Sequence, residues 1–223
     1  MKLTIIYDNE VYSDELKAKW GFSILIELEG LNILFDTGGN GIVLLENMEK
    51  LNINPAKIDK IFISHGHWDH MGGLSDLLYL NKGIEVYIPP SCLIKDSILP
   101  NFYLDILRNN NITMIDKAQQ IQKGIYSTGE LENNEQSLII NTDKGLVVIV
   151  GCSHPGVGNI LDVASKFGDV YALIGGFHNF NKLNVLENVD LICPTHCTKY
   201  KRDVMLLYPE KCIKGGVGKV IEL

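Results

Sequence analysis

The stretch Ile61-Phe62-Ile63-Ser64-His65-Gly66-His67-Trp68-Asp69-His70-Met71-Gly72-Gly73 decides how the chain is read. It opens with three apolar residues, the signature of a short buried strand. It then places three imidazoles and one carboxylate between His65 and His70. Gly66 is expected to let the backbone turn sharply between the first two histidines, because it has no Cβ to clash. Gly72 and Gly73 lead into the apolar-periodic run Leu74 to Leu80, which reads as a helix. The cluster is therefore expected on a loop between a strand's C-terminal end and a helix N-terminus. Imidazole suits zinc, iron, nickel and copper, and a nearby carboxylate extends the set to harder ions.

Around this stretch the chain alternates strands and helices. Leu3 to Tyr7, Phe22 to Glu29 and Leu31 to Phe35 read as strands, the last two as a hairpin about Gly30. Asp36 to Gly41 is a glycine-rich loop that lacks the Lys-Ser/Thr ending of a phosphate-binding loop. Ile42 to Leu51 is an amphipathic helix, and Asp14 to Lys19 a loop or short helix. Ile84 to Ile88 is a strand stopped by Pro89-Pro90. Tyr103 to Arg108 reads as helical, and Thr113 to Ile115 and Gly124 to Ser127 as strands. Gln136 to Asn141, Leu146 to Val150, Val170 to Ile174 and Leu191 to Cys193 are strands; Gly158 to Phe167, Lys182 to Val189 and Lys201 to Leu207 are helices. Such alternation predicts an α/β layered fold. We read residues 1–223 as a single domain, with 89–130 as a candidate lid or insertion.

Composition narrows the function classes. The 223 residues are 46% apolar and 21% charged, ordinary for a globular protein, and carry a formal net charge of −7. That balance argues against a surface that coats nucleic acid. No run of about 18 apolar residues appears, so no transmembrane helix is expected. The N-terminus reads as a strand rather than a signal peptide. The five cysteines are odd in number and unevenly spaced, which predicts free thiols and a cytoplasmic location. Cys193 and Cys197 lack the second pair that a structural zinc site requires and are read as plain thiols.

The remaining histidines share one setting. His154 follows the strand Leu146 to Val150, His178 follows Val170 to Ile174, and His196 follows Leu191 to Cys193. In open α/β sheets, ligands bind beyond the C-terminal ends of strands. The three are therefore expected to gather with the first cluster.

His65-x-His67-x-Asp69-His70, with its preceding apolar strand, resembles the central motif of the metallo-β-lactamase superfamily. Leu34-Phe35-Asp36-Thr37-Gly38 is similar to the first motif of that superfamily. Ser64 to His67, Gly151 to Gly156, Gly175 to His178 and Pro194 to Thr198 resemble a narrower group within it, labelled dihydropterin ribofuranosyl-aminobenzene phosphate synthase. The resemblance spans Ser23 to His196 and implies a four-layer αβ/βα sandwich with metals at one edge between two sheets. It implies that His65, His67 and His154 hold one divalent ion, and that Asp69, His70 and His196 hold a second. Asp36 would stand behind the ligands and keep their loop in place. Many members carry a bridging aspartate where this chain has Cys152. Either Cys152 takes that place as a thiolate, or it stands behind the ligands with Asp36 and only water bridges. His178 has no fixed counterpart; the Gly175-Gly176 turn before it would let it reach over the site as a general acid, an oxyanion donor or a ligand.

The resemblance thus implies a metal-dependent hydrolase that uses metal-bound hydroxide on a small phosphorylated, cyclic or pterin-like substrate. Asp69 would orient the attacking water, and two zinc ions, or manganese or iron, would serve as cofactors. An iron oxidoreductase on the same fold is the first alternative, although the chain has no room for a flavin partner domain. A non-catalytic metal-binding or sensing protein is the second. Small-molecule substrates are the expected partners, without membrane or nucleic acid.

Overall fold

The structure is a computed structural model that describes residues 1–93 and 111–223. One sheet contains β1 (Lys2–Tyr7), β2 (Ser23–Leu28), β3 (Leu31–Phe35), β4 (Lys60–Phe62), β5 (Glu85–Ile88), β6 (Asn111–Met114) and β13 (Val220–Glu222), in the order β13-β1-β2-β3-β4-β5-β6. The other contains β7 (Gln119–Gln122), β8 (Ile125–Ser127), β9 (Leu138–Thr142), β10 (Gly145–Val150), β11 (Val170–Gly176) and β12 (Leu191–Thr195), in the order β12-β11-β10-β9-β8-β7. Each sheet is part antiparallel and part parallel. β3 to β6 run parallel in the first, and β10 to β12 in the second.

Side-chain alternation decides what each strand faces. In β2 and β3, Ile24, Ile26, Ile33 and Phe35 point inward, to a core shared with Leu138, Ile140, Val147, Ile149 and Ile174 of the other sheet. Their neighbours Leu25 and Leu34 point outward, onto α1 (Gly41–Lys50) and α3 (Leu74–Leu80) through Leu44, Met48, Leu74 and Leu77. Val148 and Val150 pack outward in the same way against α4 (Val157–Ala164) and α5 (Lys201–Leu207). The result is the expected four-layer αβ/βα sandwich. Phe35 and Phe62 stack at 5.5 Å in its centre, where burying each ring contributes about 1.5–3 kcal/mol.

The hairpin of β2 and β3 and the helix at Gly41–Lys50 match the sequence reading, with Asn40 capping that helix by accepting from Val43 N at 3.1 Å. The helix expected over Lys182 to Val189 is instead one 3-10 turn, Leu183–Leu186. Its apolar residues Leu183, Leu186 and Val189 recur every third position, which suits a three-residue turn better than an α-helix. β7 and β13 had no clear sequence signal. Part of the region read as a lid, β6 to β8, is woven into both sheets; the helix expected at Tyr103 to Arg108 lies outside the described residues. Among the described residues, no helix is long and apolar enough to cross a membrane.

The parallel strands fix the position of the site. Asp36 follows β3, His65 follows β4, Cys152 follows β10, His178 follows β11 and His196 follows β12. All five C-terminal strand ends open on one edge of the sandwich.

Candidate metal centre

The first cluster leaves β4 in extended backbone and ends in the helical turn α2 (Trp68–Met71), so Asp69 and His70 are held by helix rather than loop. Gly66 is not among the residues with positive φ. A Cβ there would meet Cys92 Sγ at 3.5 Å, an ordinary contact, so the turn does not require glycine. Gly175 and Gly176, expected as a flexible turn, are the buried last residues of β11. Four site residues do carry backbone strain: Asp36 (φ 54°), Ser153 (φ 59°), His178 (φ 44°) and His196 (φ 46°). Left-handed backbone in such residues costs on the order of 1–3 kcal/mol and concentrates at functional sites.

Hydrogen bonds behind the imidazoles determine which nitrogen each presents. Ser64 Oγ donates to Asp36 Oδ2 at 2.7 Å, so His65 Nδ1 must donate to Ser64 Oγ at 2.9 Å. That leaves the His65 Nε2 lone pair facing the site, where it meets His67 Nδ1 at 3.0 Å. His70 Nδ1 lies 2.7 Å from Asp36 Oδ2, and His196 Nδ1 lies 3.0 Å from Asn9 Oδ1. Both therefore present Nε2. Partners of this kind, set behind ligating histidines, fix tautomer and ring orientation.

Glu135 does the same for His154, and it was not anticipated from sequence. Its side chain is fully buried. Oε1 accepts from the backbone N–H of Cys152 and Ser153, each at 2.9 Å, and Oε2 accepts from His154 N at 2.9 Å. Oε2 also lies 2.7 Å from His154 Nδ1. We treat that as a charge contact rather than an aligned hydrogen bond, because Nδ1 has no partner in hydrogen-bonding geometry. One carboxylate thus shapes the loop that carries Cys152 and His154. Asn9, Ser64 and Trp20, whose Nε1 donates to Asp69 Oδ2 at 2.9 Å, were also missed. Each is an ordinary residue until the fold brings it to the site.

Two groups of donor atoms converge, His65 with Cys152 and His154, and His70 with Cys152 and His196; within each, all ligand atoms lie within 4.8 Å of one another. Cys152 thus stands between the groups, not behind them. His67 flanks the first group, its ring 5.0 Å from that of His154. Asp69 flanks the second, with Oδ2 3.3 Å from His196 Nε2 and 3.7 Å from His70 Nε2. His178 belongs to neither group. Its ring stands 5.1 Å from His154, and Asn179 Nδ2 donates to its Nδ1 at 3.1 Å, which leaves the proton on Nε2. It lines a cleft of about 510 Å³ beside the first group, together with His67, His154, Asn133, Ser153 and Phe180.

The electrostatics suit cations. Burial, helped by the neighbouring imidazoles, holds His65 well below its usual pKa and brings His70 down to about 3, so both are neutral donors. Burial alone would raise the Asp69 carboxyl, but His196 and His70 outweigh it and keep the group ionised. Burial would also raise Glu135; its interactions with His65 and with the ring and backbone N–H of His154 reverse that and hold it well below the carboxylate range. Burial pushes Asp36 well up despite two hydrogen bonds from Ser64. The Cys152 thiol is pushed up, first by the Cys197 side chain and then by burial. His196 Nε2 is buried without a hydrogen-bond partner. An orphaned lone pair among neutral imidazoles, a thiol and an ionised carboxylate is what a borderline divalent cation satisfies, so these residues fit a two-metal centre.

The chain is similar in sequence and fold to known proteins. The sequence profile of the metallo-beta-lactamase superfamily matches residues 21–91. The 7,8-dihydropterin-6-methyl-4-(beta-D-ribofuranosyl)-aminobenzene-5'-phosphate synthase of Methanocaldococcus jannaschii is 30% identical over 279 residues, covering 98% of this chain and 95% of that protein. A ribonuclease Z of Nanoarchaeum equitans is 40% identical over 97 residues, but only 40% of this chain and 30% of that protein are covered. The solved structure of a metal-dependent hydrolase of the beta-lactamase superfamily superposes with a TM-score of 0.82 at 26% identity, covering 100% of this chain and 99% of that one.

Proposed function

Because this chain belongs to the metallo-β-lactamase superfamily, whose members include metal-dependent hydrolases, we propose that it hydrolyses a small phosphorylated, cyclic or pterin-like substrate at a two-metal centre. The observation that carries this reading is the pair of convergent donor groups, the first of which borders a cleft of about 510 Å³ through His154. That volume is typical of a small-molecule site. Among the described residues no lysine or arginine lines the cleft, so these side chains offer no cationic clamp for an anionic group, and the charge would be met at the metal positions. The phosphate in the name of the Methanocaldococcus relative supports a phosphorylated substrate, and the net charge of −7 argues against RNA.

His65, His67 and His154 would hold one ion, and Asp69, His70 and His196 the other. Zinc-type ions in this setting lower the pKa of bound water to about 7 and polarise the group under attack. The chain's own side chains do the rest. Asp69, fixed by Trp20 on one oxygen, supplies the negative charge that balances a cation and can align a water. His178, kept neutral by burial and by its neighbour His154, carries its proton on Nε2. It serves better as a hydrogen-bond donor to developing negative charge than as a strong acid. Asn133 and Asn134 provide neutral polar side chains along the cleft.

Protein purified without added metal should contain zinc, iron or manganese. It should hydrolyse bis(p-nitrophenyl) phosphate or a cyclic nucleotide in a chelator-sensitive way. Lack of ester hydrolysis by protein loaded with each of these metals, together with redox turnover of the iron form, would overturn the hydrolase reading in favour of the oxidoreductase.

A further inference from the structure

We propose that Cys152 is the shared ligand of the two metal positions, its thiolate sulfur joining the His65–His154 group to the His70–His196 group. This rests on the reading of the site as a metal centre. Among the described residues, Cys152 Sγ is the one atom common to both convergent groups, and it lies 3.2 Å from His70 Nε2. The three carboxylates described at the site, Asp36, Asp69 and Glu135, are placed elsewhere. Asp36 is occupied behind His70 and Ser64, and Glu135 is occupied by three backbone N–H groups behind His154. Asp69 sits to one side, against His196 and His70.

The backbone is built to hold the sulfur there. Cys152 N is tied to Glu135 at 2.9 Å. Ser153 turns the chain at φ 59° and donates its hydroxyl to Gly176 O at 2.7 Å. Cys152 and His154 then reach the site from either side of that turn. A coordinating thiol is deprotonated by the cation it binds, so the sulfur also supplies a negative charge midway between the two positions. A thiolate favours zinc, iron and cobalt over magnesium and manganese. The physiological metals of this chain therefore belong to the softer set.

Cobalt(II) loading of the intact protein tests this without relying on turnover. Wild-type protein should bind two equivalents and show a near-ultraviolet thiolate-to-cobalt charge-transfer band. Cys197→Ser, which removes the neighbouring thiol, should keep that band. Cys152→Ser should lose it and bind cobalt at least about tenfold more weakly, the scale on which such sites respond to ligand changes. Cys152→Asp should regain two equivalents without the band. Two equivalents bound by the wild type with no thiolate band would overturn the proposal and leave the two-metal hydrolase standing. So would a band that survives Cys152→Ser. Failure of wild-type protein to bind cobalt at all would overturn both. Absence of the band from wild-type protein with two equivalents bound overturns the proposal even if a variant does not fold, and retention of the band in Cys197→Ser assigns it to Cys152.

Discussion

Glu135 illustrates how one buried charge can organise a site without touching what the site binds. Its two oxygens collect three backbone N–H groups and the imidazole of His154. A buried carboxylate is tolerable only when so fully paired. Glu135→Gln keeps the shape, but it removes the charge and turns one acceptor into a donor facing N–H groups. We expect the His65–His154 position to lose about 10–100-fold in metal affinity. The Asp69–His196 position, which depends on that loop only through Cys152, should lose less, as read by titrating zinc against a competing chelator. Equal loss at both positions, or at neither, would refute the role assigned here. His178 makes the opposite case, a side chain near the donors but outside both groups. His178→Ala should keep its full metal content and lose roughly 10²–10³-fold in turnover, the cost of one oxyanion donor. Because its Nε2 proton stabilises charge rather than leaving with the product, the loss should persist for esters with good leaving groups. A loss that vanishes with p-nitrophenyl esters would make it a general acid instead.

At the scale of the element, the site depends on parallel strands approaching closely at their C-terminal ends. Gly175 has φ 133°, and a Cβ there would fall 2.0 Å from Val150 O on the neighbouring strand. Gly175→Ala must therefore push β11 away from β10 and carry His178 with it. We expect a loss of several degrees in melting temperature, or insoluble protein. Gly158, inside α4, is the control: nothing lies within 4 Å of its Cβ position and its φ is not positive. Gly158→Ala should stabilise by roughly 0.5–1 kcal/mol, about 2–4 °C per kcal/mol at this size. Similar shifts for the two variants would contradict the close-approach argument. Elements of this kind differ in how much of them a sequence displays. The run Ile61 to Gly73 and the three histidines placed after apolar strands were legible, because strand burial and ligand chemistry both leave local marks. Gln119–Gln122 was not, since an exposed edge strand of glutamines has no alternation to read. Glu135 and Asn9 were not legible either. Each matters only through partners far along the chain, such as the 187 positions between Asn9 and His196.

Across the whole molecule, the donors divide between the two halves of the sandwich. His65, His67, Asp69 and His70 follow β4 of the first sheet, whereas Cys152, His154 and His196 follow β10 and β12 of the second. Ions held by both groups would therefore tie the sheets together at one edge. The sheets do not depend on that tie alone, because their shared apolar core draws residues from both and contains none of these donors except through adjacent strands. Metal-free protein should accordingly stay folded by far-ultraviolet circular dichroism and melt lower. A ligand that binds only the folded state at 100 times its dissociation constant contributes about 2.7 kcal/mol. At about 2–4 °C per kcal/mol for a chain of this length, one saturated position should raise the melting temperature by roughly 5–11 °C, and two positions by more. The rise should grow with the logarithm of free zinc, and be much smaller with magnesium, whose preference for oxygen ligands suits neither imidazole nor thiolate. A melting temperature that ignores saturating zinc would mean that the donors do not close on an ion across the two sheets. Unfolding on chelation would mean that the core is too weak to hold the sheets without one.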